Sequence, residues 1–171
     1  DHYLYIRANP DIYENWHITH KAGSALDVSL VSKIGTTGMG FDLSRVSIAS
    51  NNLGNHSRKI VTFFLEQRFT FWDQKFDLTP GVAINIYSDF GNFTYPGLDF
   101  GFQFHRQWRL YGNIGYTYRI PTYTDLFYSD RTTIGNPDLK PEEALAKELG
   151  FRFTSKALVF YLAYFDREAE N

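Results

Sequence analysis

The sequence predicts an all-β fold: an antiparallel up-and-down meander of long strands that forms part of a transmembrane β-barrel. Three observations carry this expectation. Apolar and polar residues alternate with period two over most of the chain. Most alternating segments run to about 11–16 residues, where a globular strand has about 5–6 and a membrane-crossing strand needs about 9–11. Short and long connections alternate between them, as they do at the two rims of a membrane barrel.

In chain order, strand signals cover a stub at 2–7 and then 17–33, 37–50, 58–71, 75–88, 94–104, 108–118, 144–155 and 157–166. Val61, Phe63, Leu65, Phe69 and Phe71 share one face, and Phe76, Leu78, Val82, Ile84 and Ile86 share one face of the next strand. Gln67 also falls on the first of these faces. A two-residue turn at Asp73 and Gln74 pairs Phe71 with Phe76, Phe69 with Leu78, Leu65 with Val82 and Phe63 with Ile84, so each apolar residue meets an apolar one. The following hairpin is read with a three-residue turn, His105-Arg106-Gln107. This register pairs Phe104 with Trp108, Phe102 with Leu110 and Leu98 with Ile114. It also sets Gln103 opposite Arg109 and Asp99 opposite Asn113. In 37–50 the apolar set shifts from Met39, Phe41 and Leu43 to Val46 and Ile48; a bulge near Ser44, or a strand end standing above lipid, accounts for this.

Short connections are expected near Gly35, Asp73, Arg106 and Ser155, and longer ones at 8–16, 51–57, 89–93 and 119–143. Phe71, Trp72, Phe76 and Trp108 beside the short turns, and Tyr87, Phe90, Phe93, Tyr95 and Tyr118 beside the long ones, read as two interfacial girdles. The rival fold is a soluble β-sandwich or barrel with the Phe-rich face as its core; a small complete barrel of about eight to ten strands is a third. Mean hydropathy of −0.34 does not separate them, because a membrane barrel also has a polar lumen.

Composition narrows the chemistry. Net charge is −2 and there are no cysteines, so nothing points to nucleic acid, disulfides or thiolate chemistry. The five histidines do not cluster; His17 and His20 fall on opposite faces of a strand. No metal site or cofactor is expected. No nucleophile elbow, HExxH or phosphate loop is present, and no enzymatic activity is expected. Both ends look cut, so the single domain over 1–171 is read as a partial barrel.

One stretch breaks the alternation: RIPTYTDLF from Arg119, then GNPDLKPEE, then Glu148-Leu149-Gly150 at a strand start. Arg119, Pro121, Thr122, Asp125, Leu126, Gly135, Asn136, Pro137, Leu139, Pro141 and Glu142 together resemble the TonB-dependent outer-membrane receptor family, in particular receptors of the cobalamin and siderophore type. The resemblance implies a 22-stranded barrel around a globular plug, in the outer membrane of a Gram-negative bacterium. It implies contact with outer-membrane lipid and uptake of a small chelate or cobalamin ligand. It also implies drive from the TonB complex through an N-terminal part; that part, the plug and the C-terminal strands are absent here. The stretch KPEEALAKELG also reads as a helix. The family pattern favours a strand from about Ala144 with Glu148, Gly150 and Arg152 inward.

Candidate ligand contacts are placed in the long connections: Asn55, His56, Arg58, Phe90, Asn92, Tyr123, Tyr128 and Arg131. The inward polar set, Glu66, Arg68, Asp77, Asp99, Arg109, Asn113 and Arg119, is expected to line the lumen or face the plug. A binding module without transport, soluble or at the surface, is the alternative function.

Overall fold

The computed structural model describes residues 2–4 and 14–170. They form one antiparallel sheet whose nine strands lie in sequence order. The strands are β1 (His2–Leu4), β2 (Glu14–Ser32), β3 (Gly35–Ser50), β4 (Gly54–Phe71), β5 (Phe76–Tyr87), β6 (Gly91–His105), β7 (Trp108–Arg119), β8 (Glu142–Thr154) and β9 (Val159–Glu170). One short helix, α1 (Tyr123–Phe127), interrupts the connection from β7 to β8. The meander and the strand reading of 142–154 therefore stand. The expected residues 5–7 of the stub, and 8–13 of the first connection, lie outside the described residues.

The expected register of β4 on β5 is present: Phe71 faces Phe76, Phe69 faces Leu78, Leu65 faces Val82 and Phe63 faces Ile84. Asp73 and Gln74 take φ of 52° and 66°, the left-handed geometry that matches a tight hairpin to strand twist. The ladder is interrupted only between these two runs, opposite Pro80, which has no N–H to donate.

Three expectations are corrected. The β6–β7 hairpin closes on His105 and Trp108, with only residues 106–107 between them. A bulge between Phe102 and His105 absorbs the extra residue, so Phe102–Leu110, Leu98–Ile114 and Asp99–Asn113 stand while Phe104–Trp108 and Gln103–Arg109 do not form. The Gln103 side-chain amide donates to the carbonyls of His105 (2.8 Å) and Trp108 (3.1 Å), holding the bulge. Second, β3 carries no bulge: its ladders to β2 and β4 run unbroken through Ser44. Val46 and Ile48 simply lie on the polar face, opposite Arg58 and His56, and Tyr123 of the β7–β8 connection reaches the Val46 carbonyl. Third, the connections at 51–53 and 88–90 are short. Among the described residues the length alternation survives only at 120–141.

The two faces differ sharply. Register places Phe63, Leu65, Val82, Ile84, Leu98, Ile114, Phe151 and Leu162 on one face. Several are about half exposed: Phe63 47%, Leu65 51%, Leu162 61%. Among the described residues the buried hydrophobic side chains are only Leu53, Leu126 and Ala144. The surface of 12350 Å² exceeds the roughly 8,700 Å² of a globular monomer of this mass. A single layer has no core of its own, and each large apolar side chain left in water forgoes about 1.5–3 kcal/mol.

The lower aromatics, at the end with the 72–75 and 106–107 turns, sit on this apolar face: Phe71–Phe76 at 5.9 Å, Trp72–Phe102 at 6.2 Å and Trp108–Phe153 at 4.9 Å between centroids. Much of the expected upper girdle is not on that face. Phe93 pairs with Asn85 and Tyr95 with Ala83, on the polar side. Phe93 packs with Tyr87 at 5.9 Å and with Tyr118 at 5.0 Å.

Candidate functional site

The polar face carries two features. The first is a charged floor. Asp77 is buried and paired with Arg109, with Arg68 at 3.5 Å. Arg109 reaches Asp77 from two strands away by lying across Gly101, where a Cβ would strike its guanidinium. Asn113 donates to Glu148 at 3.0 Å. Next to this floor, one cross-strand row reads Gly38, Glu66, Gly81, Gly97, Gly115 and Ala146. From Glu66 to Ala146 it lines a shallow groove of about 410 Å³ that also meets Asp99. The expected inward residues Glu66, Arg68, Asp77, Asp99, Arg109, Asn113 and Arg119 thus share this face by register.

The second feature is the segment 120–141, which folds back over the polar side of β3–β5. Its first turn is made by a capping box: Asp125 N–H donates to Thr122 Oγ1 at 3.2 Å, and Thr122 N–H donates to the Asp125 carboxylate at 2.9 Å. The bond from the Thr122 N–H, foremost, holds the Asp125 carboxyl below its ordinary range. Leu126 is buried, and Gly135 lies so close to it that a Cβ would meet the Leu126 carbonyl carbon at 2.8 Å. Asn136 N–H donates to the Asp125 carbonyl at 3.0 Å. At the tip, Asp130 accepts from the N–H groups of Thr132 (2.7 Å) and Thr133 (2.6 Å) and from Tyr128 Oη–H (3.0 Å). Those bonds lower its pKa too.

This segment is pinned to the strand rim. His56 stacks on Phe127 at 3.8 Å with planes 4° apart, and its Nε2 lies 2.6 Å from the Leu53 carbonyl. Arg58 Nε donates to both oxygens of Asp89, at 3.0 and 2.7 Å, and Nη2 donates to the Pro121 carbonyl at 3.1 Å. Its guanidinium lies 5.0 Å from the Phe90 ring and 5.3 Å from the Tyr123 ring. Tyr123 Oη–H donates to the Val46 carbonyl, and burial raises its pKa. Asn52 makes two bonds with the Ser129 backbone, at 3.1 and 3.2 Å. Arg119 bridges to Asp125 at 3.6 Å and Glu142 at 3.4 Å beside a cleft of about 220 Å³.

Of the expected ligand contacts, the structure brings together His56, Arg58, Phe90 and Tyr123. Tyr128 and Arg131 lie at the segment's C-cap and tip, Arg131 exposed. Asn55 and Asn92 do not join them. Both are strand residues, paired with Ala49 and Ile86, and face the other way. His56 and Arg58 are also strand residues, not loop residues. Phe127, Asn52, Asp89 and Ser129 complete the cluster; the Thr122-x-x-Asp125 spacing is the sequence signal that marks α1 and so its last residue, Phe127.

Comparison with known proteins follows the fold. Residues 5–171 match the model of the family described as TonB dependent receptor-like, beta-barrel. The vitamin B12 transporter BtuB of Vibrio vulnificus is 24% identical over 121 residues, 71% of this chain and 18% of that protein. The siderophore receptor PirA of Pseudomonas aeruginosa superposes with a TM-score of 0.78 at 20% identity, over 92% of this chain and 32% of that one. The ferric enterobactin receptor PfeA of the same organism gives 0.74 at 20% identity, over 93% and 27%. The 171 residues thus span about a third or less of these proteins, and the structural likeness is one of fold.

Proposed function

The chain belongs to the TonB-dependent receptor family, as part of its β-barrel, and on that premise we propose that it is one wall of an outer-membrane receptor of a Gram-negative bacterium that takes up cobalamin or iron–siderophore complexes. The observation that carries this reading is the two-faced single layer. On β4 the column from Val61 to Phe71, apolar except for Gln67, which accepts a hydrogen bond from Thr37 of β3, spans ten steps of about 3.4 Å. At a barrel tilt of about 35–45° that is a band roughly 24–28 Å tall, close to the apolar belt of about 25 Å on such barrels.

The polar face is then the lumen. Its charged floor and glycine groove face a plug contributed by other sequence. The 120–141 segment, with Arg131 and Tyr128 toward its tip, stands at the rim where a bulky polar-rimmed ligand arrives. Arg58 and His56 serve it by anchoring, since their polar atoms are engaged within the rim. Drive from the TonB complex would act through sequence outside these residues. No catalytic step belongs to this reading.

The test is deletion of the intact gene, followed by uptake of labelled cyanocobalamin and of labelled ferric siderophores in cells with and without the TonB complex. Loss of one TonB-dependent uptake, restored by the gene, supports the reading and names the ligand. Unchanged uptake of both classes overturns it.

A further inference from the structure

Across the polar-to-apolar border of β2 to β5, one pair is out of keeping with its surroundings. Arg45 on β3 stands directly opposite Lys59 on β4. Both ladders are unbroken there, so Arg45 shares the apolar face with Phe41 and Leu43, and Lys59 shares it with Val61 and Phe63. Both are exposed. Directly opposed residues in an antiparallel pair lie only about 4.5–5.5 Å apart at Cα or Cβ, and like charges so placed repel.

At the positions of β2 from Ile18 onward, and of β3, β4 and β5, that share this face, Arg45 and Lys59 are the only permanent charges. No acidic residue stands among them: the carboxylates nearest in sequence, Asp42 and Glu66, lie on the other face, and Asp89 is bonded to Arg58. Hydroxyls surround the pair instead. Ser47 faces Ser57 one position nearer the rim, His20 faces Ser47, and Ser88 Oγ accepts from the Lys59 N–H at 3.0 Å. β8 shows the contrast. Lys147, also on the apolar face, has Asp166 at 3.4 Å and Glu168 at 3.2 Å. There the cation is neutralised by the chain itself.

We propose that Arg45 and Lys59 bind the phosphate groups of a lipid headgroup whose acyl chains lie along Leu43, Val61 and Ile86. The reading rests on the barrel assignment, which puts this border at the membrane surface. Charge complementarity selects the occupant: two unneutralised cations at the end of an apolar stripe, with hydroxyl donors above them, fit an anion covalently joined to hydrocarbon. A bound phosphate also removes the repulsion that the bare pair carries.

The test uses the protein expressed from its intact gene and purified from outer membranes in neutral detergent. Binding of diphosphorylated lipid A in mixed micelles is titrated for the natural protein, for Arg45→Gln with Lys59→Gln, and for Lys147→Gln. Inorganic phosphate at the same concentrations forms a second arm. Loss of two cations at a membrane surface should weaken lipid binding roughly tenfold or more, and added salt should shrink the difference. Lys147→Gln should bind as the natural protein does, and inorganic phosphate should bind too weakly to register. Without lipid, the double variant should be at least as stable to heat as the natural protein. Equal lipid binding by the double variant overturns the proposal, and so does an equally strong response to inorganic phosphate, which would mark a free-anion site. If the protein is not recovered in the outer membrane at all, it is the barrel reading that falls.

Discussion

His56 on β4 and Phe127 at the end of α1 stack face to face at 3.8 Å, joining a strand to a connection that leaves the sheet three strands away. Stacked pairs contribute about 0.5–1.5 kcal/mol beyond area burial. Phe127→Ala should therefore release the 120–141 segment while leaving the sheet intact. Proteolytic cleavage within the segment should rise about threefold to tenfold, with the thermal midpoint of the barrel nearly unchanged. Cleavage at the natural rate would show that the stack does not hold the segment.

Arg58 joins three things at once: both oxygens of Asp89, the Pro121 carbonyl and two aromatic faces. A lysine keeps the charge but has a single terminal nitrogen and no planar face. Arg58→Lys is expected to cost about 1–2 kcal/mol, discounted at the Asp89 end because that side chain is 34% exposed. A double-mutant cycle with Asp89→Asn reads the pair directly. Additive losses would mean that the two residues are not coupled.

The carboxyls of Asp125 and Asp130 are held below their ordinary range, mainly by bonds from the backbone N–H groups of Thr122 and of Thr132, respectively. A depressed folded pKa gives stability that is full above the unfolded value of about 3.9. It is lost as pH falls through the folded value. The segment should hold its order from pH 7 to about 5 and loosen only in stronger acid. Carboxyl carbon NMR should show both groups titrating below about 3.9; midpoints at or above that value contradict the bonding described.

How far the sequence foretells this structure depends on height above the apolar band. Between Val61 and Phe71 one face must be apolar, so the period-two pattern fixes register to the residue, including the turn at Asp73 and Gln74. Beyond the band, strands pair on while neither face has to be apolar. Residues such as Asn55, His56 and Asn92 then look like loop although they are laddered, which is why 51–57 and 89–93 read as long connections. Aromatics there face the polar side and pack on each other, so Phe93 and Tyr95 mimic a girdle in sequence. The bulge below Phe102 leaves no compositional mark, because Phe102 and Phe104 are equally apolar. The rim cluster is half legible: His56, Arg58, Phe90 and Tyr123 are visible and Phe127 is not, and their meeting across β4 and the β7–β8 connection is tertiary.

Gly101 is the hole through which Arg109 reaches Asp77. Gly101→Ala should displace the guanidinium and leave a buried carboxylate with only Arg68 at 3.5 Å. A buried charged group that loses its partner costs about 1–3 kcal/mol. Urea unfolding in detergent should show a loss in this range, and Asp77→Asn should reduce the penalty of the glycine change. An unaltered midpoint for Gly101→Ala would mean that Arg109 finds another route.

Gly81 and Gly97 pose the opposite case. A Cβ at either would meet its neighbours at no less than 3.4 Å, an ordinary contact, and neither has a positive φ. Nothing within the sheet therefore requires glycine there, and the row they form with Gly115 and Ala146 leaves an open groove. A requirement would have to come from something seated on the polar face, as a plug inside the barrel would be. Gly81→Leu and Gly97→Leu should give barrels that insert in the outer membrane with nearly natural heat stability. Ligand uptake by whole cells should nonetheless fall severalfold or more, whereas leucine at Ser57, outside the lumen, should leave uptake unchanged. Normal uptake by both glycine variants would show that the groove is empty in the working receptor.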